Sequence, residues 1–500
     1  MVTQSNWNGR STGARRAGVV LLGRWRPVQL QIASAEADLS DMFHAIAARR
    51  RNLLSLALAG GLVLGVGGGG YALLQPDGSA ANPPAAAAAG SGPASSAASV
   101  ADTLPPVLEV EDAVLATSLR EPFTLTGTVQ DATAVQVEGA DVQVHDGRFE
   151  ARFATPPAAV TVVASDAAGN RTTRQVRVGV RHPGMRAVHM SALAWTSKTL
   201  REPILAQLKA GTIDTIELDV KDEDGIVGYD SKVPLAQQTG AAKGYYDARK
   251  AIDEIHGLGG RVVGRIVAFR DPKLGAYSWK NGQRERLVQT PGGSPYSGKY
   301  GAYSFVNPAS PEVRQYNIDL AAEAAGLGFD DILYDYIRRP DGQLSKLRFP
   351  GMKGKPEQVI VSFVEQSRAA VRAKGAYLGV SVYGIAATRP TQIAQDIPGM
   401  AQHADFIAPM VYPSHWGPGE YGVRNPNAQP YEIVKRSLAD FAEIVKGSNT
   451  QIMPWLQDFS LGVRYGPREV AAQIRGSKEN GMDSFILWNA GSRYQWAGLR

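Results

Sequence analysis

The sequence predicts an α/β chain with a (β/α)8 barrel at its C-terminal end, preceded by a small all-β sandwich and a single N-terminal transmembrane helix. Three observations predict it. Eight apolar, strand-like segments recur between residues 185 and 500 with helical segments between them, as a parallel barrel requires. Short alternating runs broken by Gly and Asp-Gly fill residues 105–181, a sandwich pattern. Residues 52–74 carry no charged side chain over 23 positions, enough at ~1.5 Å per residue to cross ~30 Å of hydrocarbon.

Residues 1–51 form a basic tail. They hold eight Arg against Glu36, Asp38 and Asp41, so +5 of the net +6 lies there, and the remaining 45 basic and 44 acidic groups nearly cancel. A nucleic-acid-binding body would need a basic face, so that partner is excluded. Arg49, Arg50 and Arg51 directly precede the apolar segment 52–74 and should keep that flank cytoplasmic. The expectation is a single-pass anchor in the inner membrane, with the following domains in the periplasm or outside. The alternative is a secreted chain: a start at Met42 would give an ordinary signal peptide ending near Gly78 to Ala81. Residues 75–104, rich in Ala, Pro, Gly and Ser, bury too little to offset chain entropy and should be a flexible linker. The chain has no cysteine, which removes disulfides, thiolate zinc sites and Cys nucleophiles.

In 105–181, the runs Val135-Gln136-Val137, Val142-Gln143-Val144 and Val160-Thr161-Val162-Val163 alternate, with Gly139, Asp146-Gly147 and Gly169-Asn170 as breaks. Asp-Gly between such runs signals a hairpin. The stretch Ala164 to Asn170 and the Thr/Arg/Val strand after it resemble bacterial immunoglobulin-like modules, for which a spacer role is the expectation.

The barrel, 185–500, is expected to take its strands from 187–192, 215–222, 261–268, 331–338, 378–384, 405–412, 451–457 and 484–490, and helices from 245–258, 312–327, 357–374 and 431–446. Active sites on this fold lie at the C-terminal strand ends. In strand two, period two sends Glu217, Asp219 and Lys221 toward the axis, a costly arrangement unless paired or functional. Strand four places Asp335 near its end, followed by Arg338, Arg339 and Pro340. Asp222-Glu223-Asp224-Gly225 lacks the spacing of a calcium loop and reads as an ordinary loop.

Around these strands the chain resembles a family of bacterial glycoside hydrolases with a TIM-barrel domain, first defined as a domain of unknown function. The matching pieces run in order: Leu218-Asp219-Val220-Lys221-Asp222, Arg265 to Pro272, Val306-Asn307-Pro308 with Pro311-Glu312-Val313, Tyr334-Asp335-Tyr336-Ile337-Arg338, Pro409 to Trp416, Pro454 to Phe459, and Ile486 to Ala490. The resemblance implies cleavage of glycosidic bonds in a cell-envelope or extracellular polysaccharide. One carboxyl would protonate the leaving oxygen and a second would attack or activate water. Asp335 suits the second role. Where such proteins commonly carry an Asp near the end of strand five, this chain has Ser381, which cannot act as a carboxyl acid. Asp219, whose direction is inward, is then the first choice of acid, with Asp222 and Asp458 as alternatives. Lys221, Arg265, Arg338, Tyr412, His415, Trp416, Trp455, Gln457 and Trp488 are the substrate-binding candidates, the aromatic rings as platforms for sugar faces. The connection 273–303, with five aromatic residues among Gly, Ser and Lys, reads as a lid or substrate-contact loop. Ser381 also motivates a second reading, a degenerate barrel that binds envelope glycan without cleaving it. Neither metal nor cofactor is expected, since seven His and no spaced ligand cluster leave a metal-dependent hydrolase as a weak third.

Overall fold

In the computed structural model, residues 102–499 are described, and they divide into two units, 102–182 and 183–499. The expected basic tail and membrane helix, and nearly all of the linker, lie outside the described residues. Among the described residues no helix is long and apolar enough to cross a membrane.

The first unit consists of two sheets. Val107–Glu109, Phe123–Gln130, Arg148–Phe153 and Val144–His145 form one, and Ala113–Ala116, Arg171–Val180, Ala159–Ser165, Ala134–Val137 and Ala140–Val142 form the other. Alternate side chains supply the core: Leu108, Phe123, Leu125, Val129 and Phe149 from one sheet, and Val135, Val137, Val160, Val162, Val176 and Val178 from the other. The turns are chemically marked. Glu138-Gly139 and Asp146-Gly147 both take positive φ at two successive residues, the geometry that matches strand twist in two-residue hairpins. One expected run is corrected: Val142 and Val144 belong to different sheets, because the chain crosses between them at Gln143.

In the second unit, eight parallel strands close on themselves. They are β1 (Arg186–Met190), β2 (Thr215–Lys221), β3 (Arg261–Val267), β4 (Asp331–Asp335), β5 (Tyr377–Tyr383), β6 (Phe406–Met410), β7 (Trp455–Gln457, preceded by the short Gln451–Ile452) and β8 (Phe485–Trp488). Each pairs with its sequence neighbours, and β8 returns to β1. The helices Pro311–Leu327, Pro356–Arg372, Pro430–Ile444 and Pro467–Lys478 all begin with proline, whose fixed φ and missing N–H suit the first helical position. The connection 273–303 is more ordered than a bare loop, with the helix Pro272–Lys280 and a small hairpin, Ser297–Gly298 with Gly301–Ala302.

Two departures from ideal strands aim the functional side chains. In β2 the register against β3 shifts between Asp219 and Lys221, so that Asp219 pairs with Arg265 while Lys221 pairs with Ile266. The inward direction expected for Lys221 is therefore wrong: a bulge carries it to the opposite face. In β4 the strand stops at Asp335 rather than Arg338, because Tyr336 adopts φ 50° in the left-handed region while its N–H donates to Asp335 Oδ1 at 2.7 Å.

Candidate active site

The site is assembled around Arg265. Its Cα lies opposite Leu333, two residues below Asp335 on β4, and its long side chain climbs toward the strand ends. Nη1 donates to Asp219 Oδ1 at 2.8 Å, and Nε and Nη2 both donate to Asp335 Oδ2 at 3.0 and 2.7 Å. Nη2 also forms a close ion pair with Glu223, which stands in the loop directly after β2. The guanidinium is 1% exposed, so three carboxyls converge on one cation almost without water. A rigid fork with five donors is what such a junction needs.

Beside it, His189 on β1 and Glu217 on β2 are direct register partners, with His189 Nδ1 and Glu217 Oε2 2.5 Å apart. The other ring nitrogen of His189, Nε2, stands 3.9 Å from Asp219 Oδ2. The imidazole stacks on Trp488, with centroids 4.1 Å apart.

These environments separate the titrating groups. Burial raises Asp219 to about 6, with His189 and Arg265 opposing the rise and Glu217 and Glu223 adding to it. Burial also raises Glu223, but Arg265 and Arg270 outweigh it and hold that carboxyl at about 2. Glu217 is pushed well above the ordinary carboxylate range, chiefly by burial. Burial lowers His189 to about 4, even though Asp219 favours its charged form. One carboxyl in contact with Arg265 thus keeps a proton up to near neutrality while another takes one up only in strong acid, the separation that acid and base roles require.

A cleft of about 460 Å³, open mouth included, lies over this cluster and is lined by Glu223, Arg265 and Asp335 on one side. Tyr336, Tyr383, Tyr412, Trp455 and Trp488 are prominent in the rest of its wall, with His415 and Phe459. Trp455 and Trp488 meet edge to face at 5.5 Å. Such a wall offers apolar ring surface with a few polar groups aimed into it.

The structure brings together Asp335, Asp219 and Arg265, and it places Tyr412, His415, Trp455 and Trp488 at the cleft. Several expected members lie elsewhere. Lys221 is buried in the layer between barrel and helices, where Nζ donates to Asp271 at 2.9 Å and Asn317 at 2.8 Å. Trp416 packs edge-on against Tyr421 and covers Gly384, where any β-carbon would stand 2.6 Å from its ring. Gln457 ties two loops: its Oε1 accepts from the Ser414 N–H and its Nε2 donates to the Phe459 carbonyl. Arg338 lies behind the wall among Phe305, Tyr336 and Tyr383 and donates to Tyr300 and Asp341. Asp222 caps its own turn through the N–H groups of Asp224 and Ile226. Asp458 accepts from the Gln495 N–H, and burial raises it to about 6; like Asp219 it is not among the residues that line the cleft, and unlike Asp219 it does not touch Arg265. Ser381 lies behind Trp455 and accepts its indole N–H at 3.0 Å.

Glu223 and His189 were missed by the sequence reading. Glu223 was legible only as part of a loop, although its place directly after β2 put it at the functional end of the barrel. His189, an isolated His in an apolar strand, carried no signal of its own. The group His189, Glu217 and Asp219 offers potential ligand atoms within 4.8 Å of one another. Of these, His189 Nδ1 and Glu217 Oε2 are hydrogen-bonded to each other, and Asp219 Oδ1 is held by Arg265.

Residues 187–494 match the family described as "Putative glycosyl hydrolase domain", and residues 111–182 match "Glucodextranase, domain B". No curated protein sequence matches the chain. Solved structures similar to it include a hypothetical protein from Ruminiclostridium thermocellum, at 26% identity over 39% of this chain and 96% of that one, with a TM-score of 0.35. The PgaB (BpsB) glycoside hydrolase domain from Bordetella bronchiseptica is similar at 14% identity over 62% and 95% of the two chains, with a TM-score of 0.46. The catalytic domain of β-amylase from Paenibacillus polymyxa is similar at 12% identity over 63% and 94%, with a TM-score of 0.43.

Proposed function

From the premise that the chain belongs to this glycosyl hydrolase family, we propose that it cleaves glycosidic bonds of a cell-envelope or extracellular polysaccharide by two-carboxylate chemistry. The observation that carries the reading is the convergence of Asp219, Asp335 and Glu223 on Arg265 beneath an aromatic cleft at the C-terminal strand ends. Asp335 is the nucleophile or base: it stands at the cleft wall, oriented by Arg265 and by the Tyr336 N–H. Asp219 is the acid, since it holds a proton to about pH 6. Glu223, ionised down to about pH 2, keeps negative charge beside the cationic sugar that develops as the bond breaks.

The test is reducing-end release by the full chain on a panel of polysaccharides, beside the carboxamide variants. Asp335→Asn should lose activity on every substrate, about 10³-fold or more. Asp219→Asn should lose it on natural glycans but keep it on aryl glycosides, whose leaving groups need no proton. Equal activity of Asp335→Asn and the wild type would remove Asp335 from the mechanism. Binding of glycan without release of sugar ends by the wild type would instead favour the degenerate, glycan-binding barrel that Ser381 suggests. The reading includes a single-pass membrane anchor, supported by the uncharged segment 52–74 behind Arg49 to Arg51. Reporter fusions after Leu74 that prove cytoplasmic would overturn it.

A further inference from the structure

His189 and Glu217 are two ionisable groups in the barrel interior that the chemistry above does not use. They are 2% and 0% exposed, and placing such groups there is costly. A purely structural role would be filled as well by two apolar side chains, which often stabilise a core more than a buried polar pair. Their placement is instead directional. Glu217 stands at Nδ1 of His189, Trp488 stacks on one face of the ring, and Tyr494 donates its hydroxyl to the His189 carbonyl. The free end of the ring, Nε2, is left facing Asp219 Oδ2, the oxygen that Arg265 does not hold. Glu217 Oε1 is buried without a hydrogen-bond partner among the described residues. The charged groups facing His189 are Asp219 and Glu217 from β2, Glu223 from the loop after it, Arg265 from β3 and Asp335 from β4.

We propose that His189, backed by Glu217, is a positioning residue that controls the proton on Asp219, and through Asp219 the grip of Arg265 on the cleft carboxylates. The inference rests on the hydrolase reading above. Burial keeps both Glu217 and His189 uncharged, so the Glu217 O–H donates to Nδ1 and the imidazole proton sits on Nε2. When Asp219 has given its proton to the departing sugar oxygen, the Nε2–H donates to Asp219 Oδ2 and stabilises the new carboxylate. The imidazole stays neutral throughout, and Glu217 keeps its proton and holds the ring through Nδ1. The gap at Nε2 must close by roughly 1 Å to reach hydrogen-bond length, as catalytic contacts do on substrate binding. Arg265 then shares the Asp219 carboxylate with the ring and keeps more of its charge for Asp335 and Glu223.

Two measurements on the full chain test this. The first is ¹⁵N NMR of the imidazoles, with His189 assigned by comparison with His189→Gln. The neutral Nε2–H form should persist from pH 5 to 8, and a charged ring or an Nδ1–H form in that range would overturn the proposal. The second is the pH profile of hydrolysis on the glycan found active. His189→Leu and Glu217→Gln should each lower kcat at least about tenfold with KM unchanged, and the double variant should be no worse than either single one. His189→Leu should also move the basic limb upward, because the ring opposes the raised proton affinity of Asp219. Folded variants with the wild-type kcat and basic limb, or losses that add in the double variant, would overturn the positioning role. A chain that shows the Nε2–H form but releases no sugar ends from any glycan fails at the hydrolase reading, and the positioning role falls with it.

Discussion

Replacing Arg265 by leucine perturbs the site most directly. The guanidinium holds Asp219 at 2.8 Å, Asp335 at 2.7 and 3.0 Å, and Glu223, all nearly out of water. Removing one partner of a buried ion pair costs about 3–5 kcal/mol, because the abandoned charge stays desolvated. A second route gives a similar figure: holding Glu223 at about 2 instead of its ordinary 4.5 is worth about 3 kcal/mol, part of it owed to Arg270. These routes describe the same contacts and overlap rather than add, so the expected loss is about 3–4 kcal/mol. At about 2–4 °C per kcal/mol for a large domain, the barrel transition should fall by about 10 °C at pH 7. The pH dependence has a definite sign. Glu223 is held below its ordinary value, so its contribution is present above pH 4.5 and is lost as pH falls through about 2. The variant lacks that contribution, and its orphaned carboxyls take protons as pH falls, so the gap to wild type should narrow at pH 4. Differential scanning calorimetry of wild type, Arg265→Leu and Arg265→Lys at pH 7 and pH 4 measures this. The lysine variant should recover less than half of the loss, since one ammonium cannot reproduce the fork. A leucine variant that melts within about 2 °C of wild type at pH 7, or a gap that does not narrow at pH 4, would refute the account of Arg265 as the electrostatic centre.

Two further outcomes follow from the placements above. Lys221→Met should cost about 3 kcal/mol, by urea unfolding, because it strands Asp271 behind the barrel, yet leave KM unchanged; a raised KM would return Lys221 to the cleft. Gly379→Ala should lower stability by about 1–3 kcal/mol, since its β-carbon would stand 2.1 Å from the Phe406 ring; a neutral melting shift would mean that β5 and β6 are less closely packed than described.

Much of the barrel was legible because each strand carries its own punctuation. An apolar run of five to seven residues such as Tyr377–Tyr383 needs no distant information to declare itself, and the prolines at the helix starts are local signals. The ends of the runs were less legible. The break at Tyr336 depends on a backbone turn that its side chain does not announce, and the bulge after Asp219 reverses the direction period two assigns to Lys221. Trp416 shows the same limit at the site: its type and its place after a strand suited a sugar platform, but the ring is taken up by Gly384 and Tyr421.

By itself, the sequence determined the number and order of the strands, the all-β character of the unit before them, and the presence of acids and aromatic rings at the strand ends. Those follow from periodicity and residue chemistry, which act over a few neighbouring positions. Only the tertiary structure decided which acids share a cation. Asp219, Glu223, Arg265 and Asp335 come from three strands and a loop, and their proton affinities depend on distances of about 3 Å between them and on how little water reaches them. His189 became visible as part of the site for the same reason, since only closure of the barrel sets β1 beside β2 and β8 and presses its ring between Glu217 and Trp488.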